Sequence, residues 1–383
     1  MSSGFNLLSL KKEDQQQSKN IYKRHLVVGD DLYSVALYKE LLKKFGASEV
    51  ALMCAHAFNE QDLSPLGPST LRGESNIERF KKLFPDVELR VSDAPSQFFK
   101  ELKWRPFGGR AKPEKLLWNE KFFVEKRADF EIENLFPFLS EPGLFAELEA
   151  ARIDQRVVEI SKTTPTDLAE PINFSLLVSN GDIVGCESLY WGEGPQSFFD
   201  LYSNDKKAEL SDEFVQFCEA THAPAALYVR LDYDRPVTDK KETLFIPLSY
   251  THEWGHFVGE FKEVHEGVQR AEFVTFMDKD ATTEDEISKK IRLLKKNLEK
   301  IFDVRNEHLK GEFIKLTDSS SCLKVDDSTF AKISEEWSSL EMVSVNAPVG
   351  LLGRGGDCFE DSSFPLTSMM RALSRHQEVL HSL

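Results

Sequence analysis

The stretch from His25 to Cys54, HLVVGDDLYSVALYKELLKKFGASEVALMC, constrains this chain more than any other. His25 to Val28 reads as a short apolar strand and Gly29 to Tyr33 as a tight turn. Ser34 to Phe45 reads as a helix: Val35, Leu37, Leu41, Leu42 and Phe45 form an inner face, while Lys39, Glu40, Lys43 and Lys44 face water. Gly46 stands just past the helix end, where a left-handed residue is wanted, and Val50 to Met53 reads as a second buried strand. Strand, glycine turn, helix and strand in this order make a βαβ unit. It predicts an α/β fold with a parallel sheet.

A dinucleotide-binding turn of this kind reads GxGxxG. Its second glycine lets the backbone approach a pyrophosphate, and its third lets helix and strand pack closely. Here the turn is Gly29-Asp30-Asp31-Leu32-Tyr33-Ser34. Only Gly29 survives; Asp31 stands at the second glycine and Ser34 at the third. Asp31 brings a negative charge to a place that wants positive potential. Its carboxylate is also a good helix cap, taking up the free amides a phosphate would use. After the second strand, where a carboxylate would bind ribose hydroxyls, the sequence is Cys54-Ala55-His56.

The chain has 383 residues, enough for two domains, and its 41% hydrophobic content is that of a globular protein. A net charge of -16 argues against a nucleic-acid or anionic-membrane surface. Five scattered cysteines without a CxxC pair suggest free thiols in a reducing compartment, and no run is long enough to span a bilayer, so a cytoplasmic location is expected. The partner is then a small-molecule ligand or another protein, with no nucleic acid and no membrane span.

Residues 1–22 are polar and read as a flexible arm. Leu63 to Ser75 is a loop rich in turn-formers, Ser75 to Leu83 a short helix and Val87 to Val91 a third strand. Trp104 to Lys115 reads as a solvated glycine and proline loop, although Gly108-Gly109-Arg110 could bind an anion. Residues 116–150 look mostly helical. Arg156 to Lys162 returns to strand character. Asn173 to Ser179 and Ile183 to Tyr190 flank an Asn180-Gly181-Asp182 turn, a good hairpin signal, and Phe198 to Tyr202 looks helical. Ala225 to Asp232, Glu242 to Ser249, Gly255 to Phe261 and Val268 to Met277 read as strands of a second, mixed or antiparallel sheet. Thr283-Glu284-Asp285-Glu286 is a capping box opening an amphipathic helix with Ile287, Ile291, Leu294, Leu298, Ile301 and Phe302 inward. Near the end, the strand Val349 to Leu352 runs into Gly353-Arg354-Gly355-Gly356-Asp357, and a helix begins near Phe364.

This ordered pattern resembles flavoproteins of the amine-oxidase and UDP-galactopyranose-mutase type. Their chains open with a βαβ dinucleotide unit and close with a strand, a short glycine motif and a helix. Leu352-Gly353-Arg354-Gly355-Gly356 looks like the mutase-type Gly-Arg turn. The hairpin Phe174 to Tyr190 is similar to strands that return to the nucleotide domain, and Val157 or Val158 would match the residue whose backbone contacts adenine. The resemblance implies a Rossmann-like domain from 23–95, 152–215 and 342–383, and a second α+β substrate-type domain from 96–151 and 216–341. It implies FAD as the cofactor, near Gly29, Asp31, Ser34, Cys54, Val158, Gly353, Arg354 and Phe364. It carries over no catalytic residue. The departures at Asp31, Ser34 and Cys54 fall on the cofactor-binding positions. The expected protein is therefore a binding or scaffold protein with an eroded FAD site. The alternative is an active FAD-dependent oxidoreductase or mutase.

His252-Glu253-Trp254-Gly255-His256 matches HExxH. On a helix the two histidines would share one face and bind zinc, with Glu253 activating water, which makes a zinc metalloprotease a second alternative. Pro247, Gly255 and Gly259 speak against a helix, and Phe245, Ile246, Phe257 and Val258 suggest strands. No metal is expected there.

Overall fold

The computed structural model describes residues 20–59, 63, 70–93, 96–107, 126–163, 172–193, 195–208, 210–212, 215–216, 225–248, 256–265, 267–277, 283–317, 342–344, 377 and 380–381. In chain order the elements are β1 (Asn20–Val28), α1 (Leu32–Phe45), β2 (Val50–Met53), β3 (Thr70–Arg72), α2 (Glu74–Leu83), β4 (Arg90–Ser92), β5 (Gln97–Lys100) and β6 (Lys103–Pro106). Then come β7 (Arg127–Asp129), α3 (Ile132–Leu135), α4 (Leu144–Ala151), β8 (Arg152–Ile153), β9 (Val157–Lys162), β10 (Phe174–Val178), β11 (Ile183–Trp191), α5 (Pro195–Leu201) and α6 (Asn204–Lys207). The rest are β12 (Ala225–Tyr233), β13 (Leu244–Pro247), β14 (His256–His265), β15 (Val268–Met277), α7 (Glu284–Phe302), β16 (Leu309–Thr317) and β17 (Met342–Ser344).

The predicted βαβ unit is present. Strands β1 and β2 run parallel, with Val28 opposite Met53, and β11 runs parallel to β1 on its other side, with Val28 opposite Trp191. Short β8 extends the parallel set beyond β2, and β17 extends it alongside the second half of β11. The antiparallel β10 and β9 cover the first half of β11 instead. One sheet thus joins strands from the start, middle and end of the chain. Side chains alternate to its two faces. Val27, Leu52 and Tyr190 pack with α1 and α4, whereas Leu26, Val28, Met53 and Trp191 pack with Phe198 and Tyr202 around α5.

Helix α1 begins at Leu32, two residues earlier than its periodicity suggests, because Asp31 caps it. Gly46 ends it at φ 82°, with its amide bonded to Leu42.

The second sheet has the order β16-β12-β15-β14-β13-β5-β6 and is mixed, since β13 and β5 pair parallel while the others pair antiparallel. Its Leu227, Val229, Phe257 and Phe273 pack against Ile291, Leu294 and Leu298 of α7. The amide of Glu286 donates to the Thr283 hydroxyl as the capping box predicts. On the opposite face Arg230, Glu272 and Glu260 stand in one cross-strand row.

Asn20–Tyr22, the end of the stretch read as a flexible arm, already belong to β1 and pair with β11. Further short pieces of the chain also differ from the sequence expectation. Thr70–Arg72, within the stretch read as a loop, is β3, and Arg127–Asp129, within the stretch read as helical, is β7; with β4 they form a third sheet. Trp104–Pro106, read as a loop, belongs to β6 and hairpins with β5. Each is a strand of three or four residues, too short for period-two alternation to declare itself. Gly353, Arg354 and Phe364 lie outside the described residues. Among the described residues, no helix is long and apolar enough to cross a membrane.

Candidate functional site

The carboxyl ends of β1, β2 and β11 stand side by side, which is where α/β sheets open a crevice for ligands. The chain closes much of that crevice with its own atoms. Gly29 leaves β1 at φ 147°, and its amide donates to Met53 O at 3.1 Å. The Gly192 amide, at the end of β11, donates to Val28 O at 2.7 Å. The two glycines are so close that a Cβ added at Gly29 would lie 3.2 Å from Gly192 Cα.

The Ser34 side chain points between them. A Cβ on either glycine would collide with the Ser34 hydroxyl. The close helix–strand approach that a GxGxxG turn allows is therefore kept by a different arrangement. Two strand-end glycines make room, and a serine, fully buried, fills it. Gly192 was not singled out from sequence. The signal available was a glycine following the apolar run Leu189-Tyr190-Trp191.

Asp31 completes the closure. Its Oδ1 accepts from the Tyr33 amide at 2.8 Å and from the Ser34 amide at 3.2 Å, and its Oδ2 accepts from the Ser34 hydroxyl. These are the amides at the positive end of α1 that an anionic ligand would otherwise use. Burial, and next the charge of neighbouring Asp30, push the Asp31 carboxyl above its ordinary value, against the opposing hydrogen bond from Ser34. Glu193, directly after Gly192, is also raised by burial and then by Asp30. Three carboxylates therefore gather at this mouth.

Its outer rim carries Asp30, Cys54 and His56. His56 Nε2 lies 2.6 Å from Asp30 Oδ2. Cys54 is buried, with its Sγ 3.2 Å from the His56 carbonyl oxygen. Arg152 donates to Cys54 O at 3.0 Å, but its charge is shared with Glu149 and Asp154.

Of the sequence candidates, Gly29, Asp31, Ser34 and Cys54 meet here. Val158 lies on β9, where its neighbour Glu159 is level with Leu177, Ile183 and, across the sheet, Asn20. Its neighbour Val157 packs in one cluster with Val28, Met53 and Trp191, and the charge of Arg156 reaches Glu193, so Val158 is not remote from the strand ends. It is half exposed at 50%. In the HExxH stretch, His252 and Glu253 lie outside the described residues, while His256 opens strand β14. The local structure at His256 is thus extended, as the surrounding aromatic residues suggested.

No family model matches the chain, and no curated protein matches it in sequence. Solved structures match it in fold. A triple variant of putrescine oxidase, from a structure-based redesign of cofactor binding, superposes with a TM-score of 0.53 at 9% identity, covering 95% of this chain and 99% of that one. A protoporphyrinogen oxidase-like protein from Exiguobacterium gives 0.51 at 9% identity, covering 94% of this chain and 99% of the other. The chain has the amine oxidase-like fold. The superpositions take in nearly the whole chain. At this identity, the amine oxidase-like fold alone does not bring any neighbour's ligand or reaction with it.

Proposed function

We propose that this chain is a binding or scaffold protein on the amine oxidase-like fold, with its dinucleotide turn closed from within. One observation carries the reading: the Asp31 carboxylate occupies the first amides of α1, and the Ser34 hydroxyl occupies the gap between Gly29 and Gly192. FAD, the cofactor implied by the fold family, would need those amides and that gap for its pyrophosphate. It would also meet the charges of Asp30, Asp31 and Glu193. The residues present do not fit a dinucleotide held in this way.

A second reading is an FAD-dependent oxidoreductase or mutase that holds its cofactor by other contacts. The near-complete coverage by the two oxidase structures favours it. The absorbance spectrum of freshly purified protein separates the two readings. The binding-protein reading expects no flavin bands and no change on adding FAD. A stoichiometric flavin spectrum overturns it.

A further inference from the structure

We propose that Asp30, Cys54 and His56 form a binding site for one zinc-type divalent cation. The three residues reach the rim from adjacent strand ends. Asp30 follows β1, and Cys54 and His56 follow β2, whose last residue is level with the last residue of β1. Asp30, Cys54 and His56 each offer one ligand atom, and these atoms all lie within 4.8 Å of one another. The set differs from HExxH, where the sequence expects no metal.

The donor chemistry selects the ion. A thiolate, an imidazole nitrogen and a carboxylate oxygen suit zinc or cobalt better than magnesium or calcium, which prefer all-oxygen shells. Donors at about 2.0–2.3 Å from a tetrahedral ion stand about 3.3–3.8 Å apart. The Asp30–His56 pair, at 2.6 Å, must therefore open by about 1 Å on coordination. Both side chains are at the rim, 36% and 55% exposed, so the adjustment takes place in solvent rather than in packed core. Cys54 is held from behind, packed with Val50 and Leu52. Its thiol proton passes to solvent as the sulfur coordinates. The fourth position is open to water. A cation here also offsets the carboxylates of Asp31 and Glu193 close by, so the feature that opposes an anionic ligand favours a cationic one.

The test uses the full chain purified without metal-affinity resin, stripped with a chelator, and equilibrated with zinc or with cobalt. The expected result is one ion per chain. The cobalt complex should show a thiolate charge-transfer band in the near ultraviolet. Cys54→Ser should abolish that band, and Cys54→Ser and His56→Ala should each weaken zinc affinity by at least about tenfold. His256→Ala should leave both readouts unchanged. His56 is largely exposed, so His56→Ala tests the site even if Cys54→Ser perturbs packing. Zinc affinity equal in native protein and His56→Ala overturns the proposal. So does a cobalt band that survives Cys54→Ser, or one that disappears in His256→Ala. None of these readouts depends on flavin, so this proposal and the binding-protein reading can fail separately.

Discussion

Asp31 is the residue on which the closed-turn argument can be broken. Its Oδ1 takes two backbone amides, and the side chain is the N-cap of α1. Replacing a capping aspartate by alanine leaves those donors without a protein acceptor and costs about 1–2 kcal/mol. Asp31→Asn keeps the Oδ1 acceptor and should cost clearly less. Urea denaturation of the two variants reads this difference directly.

Asp31→Asn also tests the electrostatic effect of the carboxylate. A phosphate charge about 6 Å from the Asp31 carboxylate, at an effective dielectric of about 20, is opposed by about 3 kcal/mol, close to two decades in affinity. Solvent at the mouth screens this, so about a hundredfold is the upper bound for Asp31→Asn. FAD titrated into native protein, Asp31→Asn and the double variant Asp31→Gly with Ser34→Gly should bind in rising order, since the last also reopens the gap beside Gly29. Adding Cys54→Glu supplies an acceptor for ribose and should raise affinity further. If native protein already binds FAD tightly and Asp31→Asn changes nothing, the carboxylate does not face the pyrophosphate and the reasoning is wrong. If Asp31→Ala is as stable as native protein, the cap does not act as described.

Further outcomes follow from other parts of the molecule. Gly192→Ala should destabilise the chain by about 1–3 kcal/mol, because its Cβ would meet Ser34 and the Val28 carbonyl, and Ser34→Gly should restore most of the loss in a double-mutant cycle read by denaturation. Arg127 Nη1 lies 3.1 Å from Glu260 Oε1 with both side chains about 95% buried, so Arg127→Met should cost about 3–5 kcal/mol, and adding Glu260→Leu should recover much of it by calorimetry. His25 is buried with its Nδ1 3.2 Å from the Tyr190 hydroxyl and its Nε2 without a hydrogen-bond partner among the described residues. Burial, followed by Arg24, holds its imidazole below the ordinary value of 6.5, so the unfolded chain takes up the proton first. Stability should therefore be retained above pH 6.5 and fall as pH drops below it, and His25→Phe should flatten that acid-side slope in thermal unfolding.

Much of the fold was legible because it rests on local patterns. The βαβ unit announces itself through the apolar strand, the glycine turn and the helix stripe. The turn Asn180-Gly181-Asp182 marks the β10–β11 hairpin, with Gly181 at φ 85°, and Thr283 marks the start of α7. What escaped depends on neighbours distant in sequence. Gly192 matters only because β11 docks beside β1, so that its chain passes Ser34. The cap on α1 was visible in Asp31 itself, but the role of Ser34 as a filler between two glycines was not, because one of those glycines belongs to another strand.

The fold and the site here obey different constraints, so the fold does not by itself require the site's usual chemistry. The parallel sheet is held by buried Leu26, Val28, Leu52, Met53 and Trp191 and by the ladder between β1 and its neighbours, and none of these needs a ligand. The crevice at the strand ends, by contrast, leaves helix amides and strand termini in want of partners. In a dinucleotide protein the ligand satisfies them. In this chain Asp31 satisfies the amides and Ser34 the space, which makes the turn self-sufficient and leaves the crevice negative. The strand ends still bring side chains from β1 and β2 together, so the crevice still presents a site. Its charge has changed sign, and the ligand that suits it changes accordingly, from an anion on backbone amides to a cation among Asp30, Cys54 and His56.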